Sequence, residues 1–342
     1  MVRRGIVNIT EGSPSGASNS NNFGVGSPSS PNPGYPPSFA GYAYVTNYNT
    51  NTVSVIRIDN YKTVATIPVG SGPLGIAVTP NNGYVYVANN SANTVSVIQT
   101  STNTVIATVS VGSGPVGVAV TPDGNYVYVA NSGSNTVSVI DVSTNTAIDT
   151  VNVGSFPNWV SITPDGNYAY VSNNNTTTLS VIEVSSNTVI ATVELGTNNK
   201  PYGSVFTPDG NYLYVADYGS NDVSVVQVST NIVIKNIVVS TGLPSLVGMA
   251  ITPDGKYVYA TAGSDGVVYA IDTSTNTVIA TITTGPPSPS GMVGAAVTSD
   301  GNYVWVANDY EENIIAVIDV STNTIVETIP DAGSPQFIAM VS

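Results

Sequence analysis

A run reading Tyr-Val-Tyr-Val-Ala-Asn, or close to it, recurs seven times, starting at Tyr42, Tyr84, Tyr126, Tyr168, Tyr212, Tyr257 and Tyr303. Successive starts lie 42, 42, 42, 44, 45 and 46 residues apart. One repeat of this kind cannot bury its own apolar side chains, so each must stack on the next. The stretch from Gly117 to Gly154 shows what a repeat contains. Its first predicted strand, 117–121, is stopped by Pro122-Asp123-Gly124, where proline presets φ and glycine takes the left-handed position of a tight turn. Strands at 126–130, 136–142 and 146–153 follow, separated by Asn- and Ser-rich turns. Val, Ile, Thr and Tyr suit them because β-branched and aromatic side chains pack well on a pleated backbone.

In Tyr126-Val127-Tyr128-Val129 the tyrosines face one side of the sheet and the valines the other. Both sides are apolar or aromatic, so both should be covered. Blades set radially supply that cover, each packing on two neighbours, and each tyrosine hydroxyl then needs a partner at the blade edge. The first recognisable piece of the chain, at Tyr42, is a second strand without a first. Its missing partner stands at the other end, as Phe337-Ile338-Ala339-Met340-Val341. The expected fold is therefore all-β: a seven-bladed β-propeller of four-stranded antiparallel blades over 41–342, closed by the C-terminal strand joining the N-terminal blade. Such closure removes two open sheet edges.

Tyr44-Val45-Thr46-Asn47, the repeated Asn-Thr-Val-Ser-Val-Ile (at Asn93 and Asn135) and Thr-Pro-Asp-Gly at Thr121, Thr163, Thr207 and Thr252 resemble the YVTN-type β-propeller repeats. The resemblance covers everything beyond the first 40 residues. It implies the propeller fold, and it implies one of three settings: surface-layer proteins, lactonase-like enzymes or domains of redox enzymes. A propeller hosts many unrelated activities, so the choice must come from the site.

There is no histidine and no cysteine in 342 residues. The commonest metal ligand and proton shuttle is thus missing, and copper, haem and zinc sites of the usual kinds lose their main donors. No disulfide can form. With 7 Lys and Arg against 21 Asp and Glu, the net charge is −14, which argues against nucleic-acid binding. No apolar run reaches the ~20 residues of a membrane-spanning helix. The start, Met1-Val2-Arg3-Arg4, is not followed by the apolar stretch of a secretory signal. Residues 11–38 are rich in Gly, Ser, Pro and Asn and read as a flexible tether. Ahead of it, a short strand at 5–9 with Ile6, Val7 and Ile9 could dock on a neighbouring sheet edge and support self-assembly.

Residues that break the repeat on the crossing face are the candidates for ligand contact. In one crossing Ser155-Phe156-Pro157-Asn158-Trp159 stands for the usual Ser-Gly-Pro-x-Gly, with the aromatics Phe156 and Trp159 in the glycine places. Lys200 and Tyr202 depart from the pattern in the next, and Asp217, Tyr218, Asp265, Asp309, Tyr310, Glu311 and Glu312 stand out in loops. Together they suggest an aromatic, acidic mouth suited to stacking a glycan or holding a protein. The turn aspartates (Asp123, Asp165, Asp209, Asp254, Asp300) read as hairpin residues. Asp309–Glu312 is the one dense carboxylate cluster and the one candidate for calcium. No catalytic residue, metal or cofactor is expected. The expectation is a non-enzymatic surface or assembly protein, extracellular or at a cell or particle surface, that recognises protein or glycan. A binding module acting through the Trp159 face and a lactonase-type hydrolase are the alternatives.

Overall fold

Blade 3 illustrates how the repeat folds: antiparallel strands Pro115–Val120, Tyr126–Asn131, Thr136–Asp141 and Thr146–Asn152 run from the axis outward. The computed structural model describes residues 41–197, 199–240, 245–263, 266–285, 294–309, 313–331 and 333–342. Ile6, Val7, Ile9, Asp265, Tyr310, Glu311 and Glu312 lie outside them, and with them the tail strand and the calcium loop. The described residues form seven four-stranded sheets, each in the same order. In blade 1 the innermost strand is the C-terminal Pro335–Val341, paired antiparallel with Tyr42–Asn47 through Ile338 opposite Val45 and Met340 opposite Ala43. The predicted closure is present. Inner strands begin about two residues earlier than the sequence suggested. Pro115 already pairs with Asn131, and a bulge then carries the register to Val118 opposite Val129.

Seven apolar clusters hold the ring, one at each blade–blade interface. Between blades 3 and 4, for example, Tyr128, Val137, Val139 and Val151 meet Val160, Ala169, Val171 and Ile182. The inner tyrosine of each pair finds its hydroxyl partner across that interface. Tyr44, Tyr86, Tyr128, Tyr170, Tyr214 and Tyr259 donate to Oδ1 of Asn103, Asn145, Asn187, Asn231, Asn276 and Asn323, at 2.5 to 2.8 Å. Each asparagine sits in the next blade's outer hairpin at a φ between 52° and 57°, a left-handed conformation that Asn tolerates better than most residues. Burial pushes the Tyr128 hydroxyl up to about 12, so it remains a donor at ordinary pH.

The seventh interface, between blades 7 and 1, uses a different pair. Trp305 replaces the tyrosine, and Tyr61, at φ 59°, replaces the asparagine. The rings lie 5.8 Å apart, and the buried Trp305 Nε1 has no hydrogen-bond partner among the described residues. A tilted ring contact stands here in place of the hydrogen bond of the other six interfaces.

The outermost strands carry a second regularity. In every blade the register skips one residue of this strand: Val64, Ile106, Ile148, Ile190, Ile234, Ile279 and Val326. All seven are β-branched and exposed. A bulge on an edge strand bends it away from edge-to-edge pairing. These edges are where a docking tail strand would have to add.

Candidate functional site

The blades converge on a funnel of about 680 Å³ around the axis, on the face carrying the crossings. Two positions of the repeat build it. The residue after the second strand supplies the rim: Tyr48, Asn90, Ser132, Asn174, Tyr218 and Asp309. The second residue of the innermost strand supplies the floor: Leu74, Val116, Asn158, Tyr202, Val247 and Gln336. Everywhere else the repeats are near copies. At these two positions they differ, because these side chains face the axis and not a neighbouring blade.

Below the floor the channel is closed. The following residue of the inner strand is glycine in most blades, and tight packing demands it: a Cβ on Gly117 would lie 2.8 Å from the Asn158 carbonyl oxygen and the Trp159 Cα of the next blade. Trp159 and Phe337 break that rule. Their rings meet with centroids 5.3 Å apart, joined to the cluster that also holds Leu74, Val116, Tyr202 and Val247. Two aromatic plugs thus close the axis from beneath.

Phe156 forms part of the wall. It has φ 58° and accepts the place that Gly72 and Gly114, at 65° and 62°, hold in blades 2 and 3. As with those glycines, its N–H donates to an asparagine of the preceding blade, Asn135 Oδ1, at 2.9 Å. An L-residue in this conformation costs about 1–2 kcal/mol, yet the phenyl ring is 40% exposed. Strain kept without burial as its return is a feature of ligand sites.

The polar groups of the funnel are mostly neutral. Asn90 Nδ2 donates to the Pro115 carbonyl, and Asn174 Nδ2 to the Lys200 and Pro201 carbonyls, leaving both Oδ1 atoms as acceptors. Gln336 Nε2 donates to Asp309 Oδ2 at 3.0 Å. Tyr202 and Tyr218 stand 6.4 Å apart. Asn158 is 3% exposed, yet its side-chain amide bonds to no described residue.

Of the residues singled out from sequence, the structure brings Phe156, Asn158, Tyr202, Tyr218 and Asp309 together on the funnel. It places Trp159 beneath, against Phe337. Lys200 is exposed off the funnel lining, where its carbonyl accepts from the Tyr218 N–H at 2.9 Å. Asp217 is fully buried inside blade 5, not at the mouth. It takes the place of Asn47, Asn89, Asn131 and Asn173 in other blades. Ser224 Oγ donates to its Oδ2 at 2.6 Å and Asn199 Nδ2 at 3.3 Å, while Oδ1 has no partner among the described residues. Burial pushes its pKa up to about 8. The turn aspartates are hairpin caps: Asp123 Oδ1 accepts from Thr121 Oγ1 at 2.5 Å and from the Asn125 N–H at 3.0 Å. Sequence reasoning passed over Tyr48, Asn90, Asn174 and Gln336, which look ordinary singly. Their variation at one repeat position was the available signal.

A family model described as "YNCE-like beta-propeller" matches residues 118–299, just over half of the chain. The chain belongs to the YNCE-like β-propeller family. A second family model, "Lactonase, 7-bladed beta-propeller", matches residues 40–194. No curated protein matches the sequence. Among solved structures the chain is similar to Kuenenia stuttgartiensis hydrazine synthase, with TM-score 0.73 and 22% identity over 81% of this chain and 92% of that one. It is also similar to the dihydro-heme d1 dehydrogenase NirN in complex with DHE (TM-score 0.66, 17% identity, 87% and 74%). A functionally unknown protein from Desulfotomaculum acetoxidans gives TM-score 0.75 and 18% identity over 87% and 98%. At these identities the structural likenesses show the fold.

The expectation of a protein without enzymatic activity is corrected by the lactonase match over residues 40–194. The absence of histidine had carried too much weight. A carboxylate can serve as a general base, and amide and phenol groups can donate to a developing oxyanion. Asp309, Gln336, Asn158 and Tyr218 bring such groups to the funnel.

Proposed function

We propose that the funnel binds a small, neutral, hydroxyl-rich ligand of the glycan class. The observation that carries this reading is Phe156, held half exposed on the wall in a backbone conformation that the same position gives to glycine in blades 2 and 3. Aromatic faces stack on the apolar face of a sugar ring, while amide oxygens and phenols meet its hydroxyls. Among the described residues the funnel lining has no Lys or Arg, which disfavours phosphorylated or carboxylated ligands. An immobilised glycan array probed with the wild type and with Tyr218→Ala tests it. Binding that the substitution weakens at least tenfold supports the reading; an array without signal, or one indifferent to Tyr218, defeats it. Display at a cell or particle surface is the proposed setting, tested by antibody labelling of intact against permeabilised cells.

Hydrolysis of a sugar lactone is the second reading, favoured by the lactonase match over residues 40–194. Water would be deprotonated by the Asp309 carboxylate as it adds to the ring carbonyl. The ring oxygen would leave with a proton, giving the open hydroxy acid. Proton release on adding glucono-1,5-lactone, measured in a pH-stat above the uncatalysed rate, checks this. Asp309→Asn should abolish the excess rate, and no excess in the wild type rejects the reading.

A further inference from the structure

We infer that the funnel takes its glycan end-on, with a terminal pyranose seated on the floor and two adjacent hydroxyls of that sugar held by the Asn158 amide. This rests on the proposed function and adds the mode of binding and the residue that reads the sugar.

Three observations carry it. Asn158 is a buried primary amide on the funnel floor that bonds to no described residue. Its amide atoms are not sealed in: they open on the funnel and can exchange water for the hydroxyls of a ligand. Blades 2, 3 and 6 place Leu74, Val116 and Val247 at the same repeat position, so the polar side chain is not required by the fold. Its chemistry is specific: Oδ1 accepts and Nδ2 donates, side by side. A vicinal diol answers both at once, one hydroxyl donating to Oδ1 and its neighbour accepting from Nδ2.

The second observation is the closed axis. Trp159 and Phe337 meet beneath the floor, and walls come from every side. The interior of a polymer needs a way in and a way out, as a groove provides. A blind funnel has one opening and therefore accepts a chain end. Third, the floor around Asn158 is apolar on several sides, through Leu74, Val116 and Val247. Three aliphatic side chains beside the neutral amides of Asn158 and Gln336 and the Tyr202 phenol disfavour ligands that are charged at their tip, and leave the C–H face of a neutral ring well matched.

Calorimetric titration of the full chain tests this, using as probes linear hexasaccharides of glucose, mannose and galactose, their methyl monoglycosides, and the ring-closed glucose hexamer, which has no chain end. The expected result is binding of at least one linear hexamer, competition by the matching methyl monoglycoside, and no binding of the ring-closed form. Asn158→Ala should weaken binding at least tenfold with an unchanged melting temperature, whereas Tyr218→Ala weakens it through the wall. Binding of a linear hexamer that survives Asn158→Ala and is not displaced by the monoglycoside overturns the end-on mode but leaves the proposed function standing. Absence of binding by every probe overturns both.

Discussion

Replacing Asp217 by asparagine should stabilise the ring, and by an amount that depends on pH. Asp217 is buried in blade 5 at a position where four other blades carry a buried asparagine bonded to a serine of the neighbouring strand, as Asn131 Nδ2 bonds to Ser138 Oγ at 3.0 Å. Burial raises its pKa from an ordinary 3.8 to about 8. Below pH 4 the carboxyl is protonated in the folded and the unfolded chain alike, and its stabilising share is fully present. As pH rises the unfolded chain ionises while the folded one holds its proton, so that share is lost until the folded group also ionises near pH 8. Over the span from 3.8 to neutrality the loss is at most about 4 kcal/mol, at ~1.36 kcal/mol for each pH unit. The asparagine variant suffers no such loss. It does forfeit part of the bonding to Asn199, worth about 1 kcal/mol. The expected net gain at pH 7 is roughly 2–3 kcal/mol. With an unfolding entropy near 2.1 cal/mol/K per residue, this raises the melting temperature by about 3–5 °C. Scanning calorimetry of both proteins from pH 4 to pH 9 should show the wild type slightly ahead at pH 4, curves that cross between pH 4 and pH 5, and a widening lead for the variant towards pH 8. Parallel curves would show that Asp217 titrates as an ordinary carboxylate, and the reasoning would fail.

Other substitutions test the remaining devices. Tyr128→Phe removes the 2.6 Å bond to Asn187 and should cost about 1 kcal/mol, while Tyr126→Phe, whose hydroxyl bonds to no described residue, should be near neutral by thermal denaturation. Equal effects would deny the inter-blade bonds their role. Phe156→Gly should be more stable than Phe156→Ala by about 0.5–1 kcal/mol, reversing the usual order, because only glycine relieves the left-handed backbone. Deleting residues 337–342 removes most of the strand that closes blade 1, so the whole ring should lose its cooperative melting transition. An unchanged midpoint would mean that closure contributes nothing.

The ring was legible because its signals repeat. Seven copies of one strand, six turn signals and a displaced terminal strand all point to the same closed propeller, and no single misread residue could alter that. The tyrosine–asparagine bonds were half legible: Tyr128 announced a hydroxyl in need of a partner, but nothing local names Asn187, 59 residues on. The funnel was harder, because repetition is what hid it. Aromatic residues drew the eye, and Trp159 is the largest of them in its crossing, yet it sits one residue past the floor position and packs downward on Phe337. Asn158 beside it stands among the candidates, but in an asparagine-rich chain nothing local marks it as the residue of that crossing that faces the axis. Comparing the repeats column by column, in place of looking for unusual residues, would have isolated the rim and floor positions. Asp217 shows the opposite error: it breaks the repeat, but at a position that faces the inside of a blade.

A crystal structure of the chain grown with the best-binding hexasaccharide from the titration panel tests the central claim most directly. The account predicts a terminal sugar on the axis, with two of its hydroxyls on Asn158 and its ring against Phe156 or Tyr218, and the rest of the chain leaving through the mouth. Sugar density on the outer strands or on the opposite face, with the funnel holding only water, would contradict it.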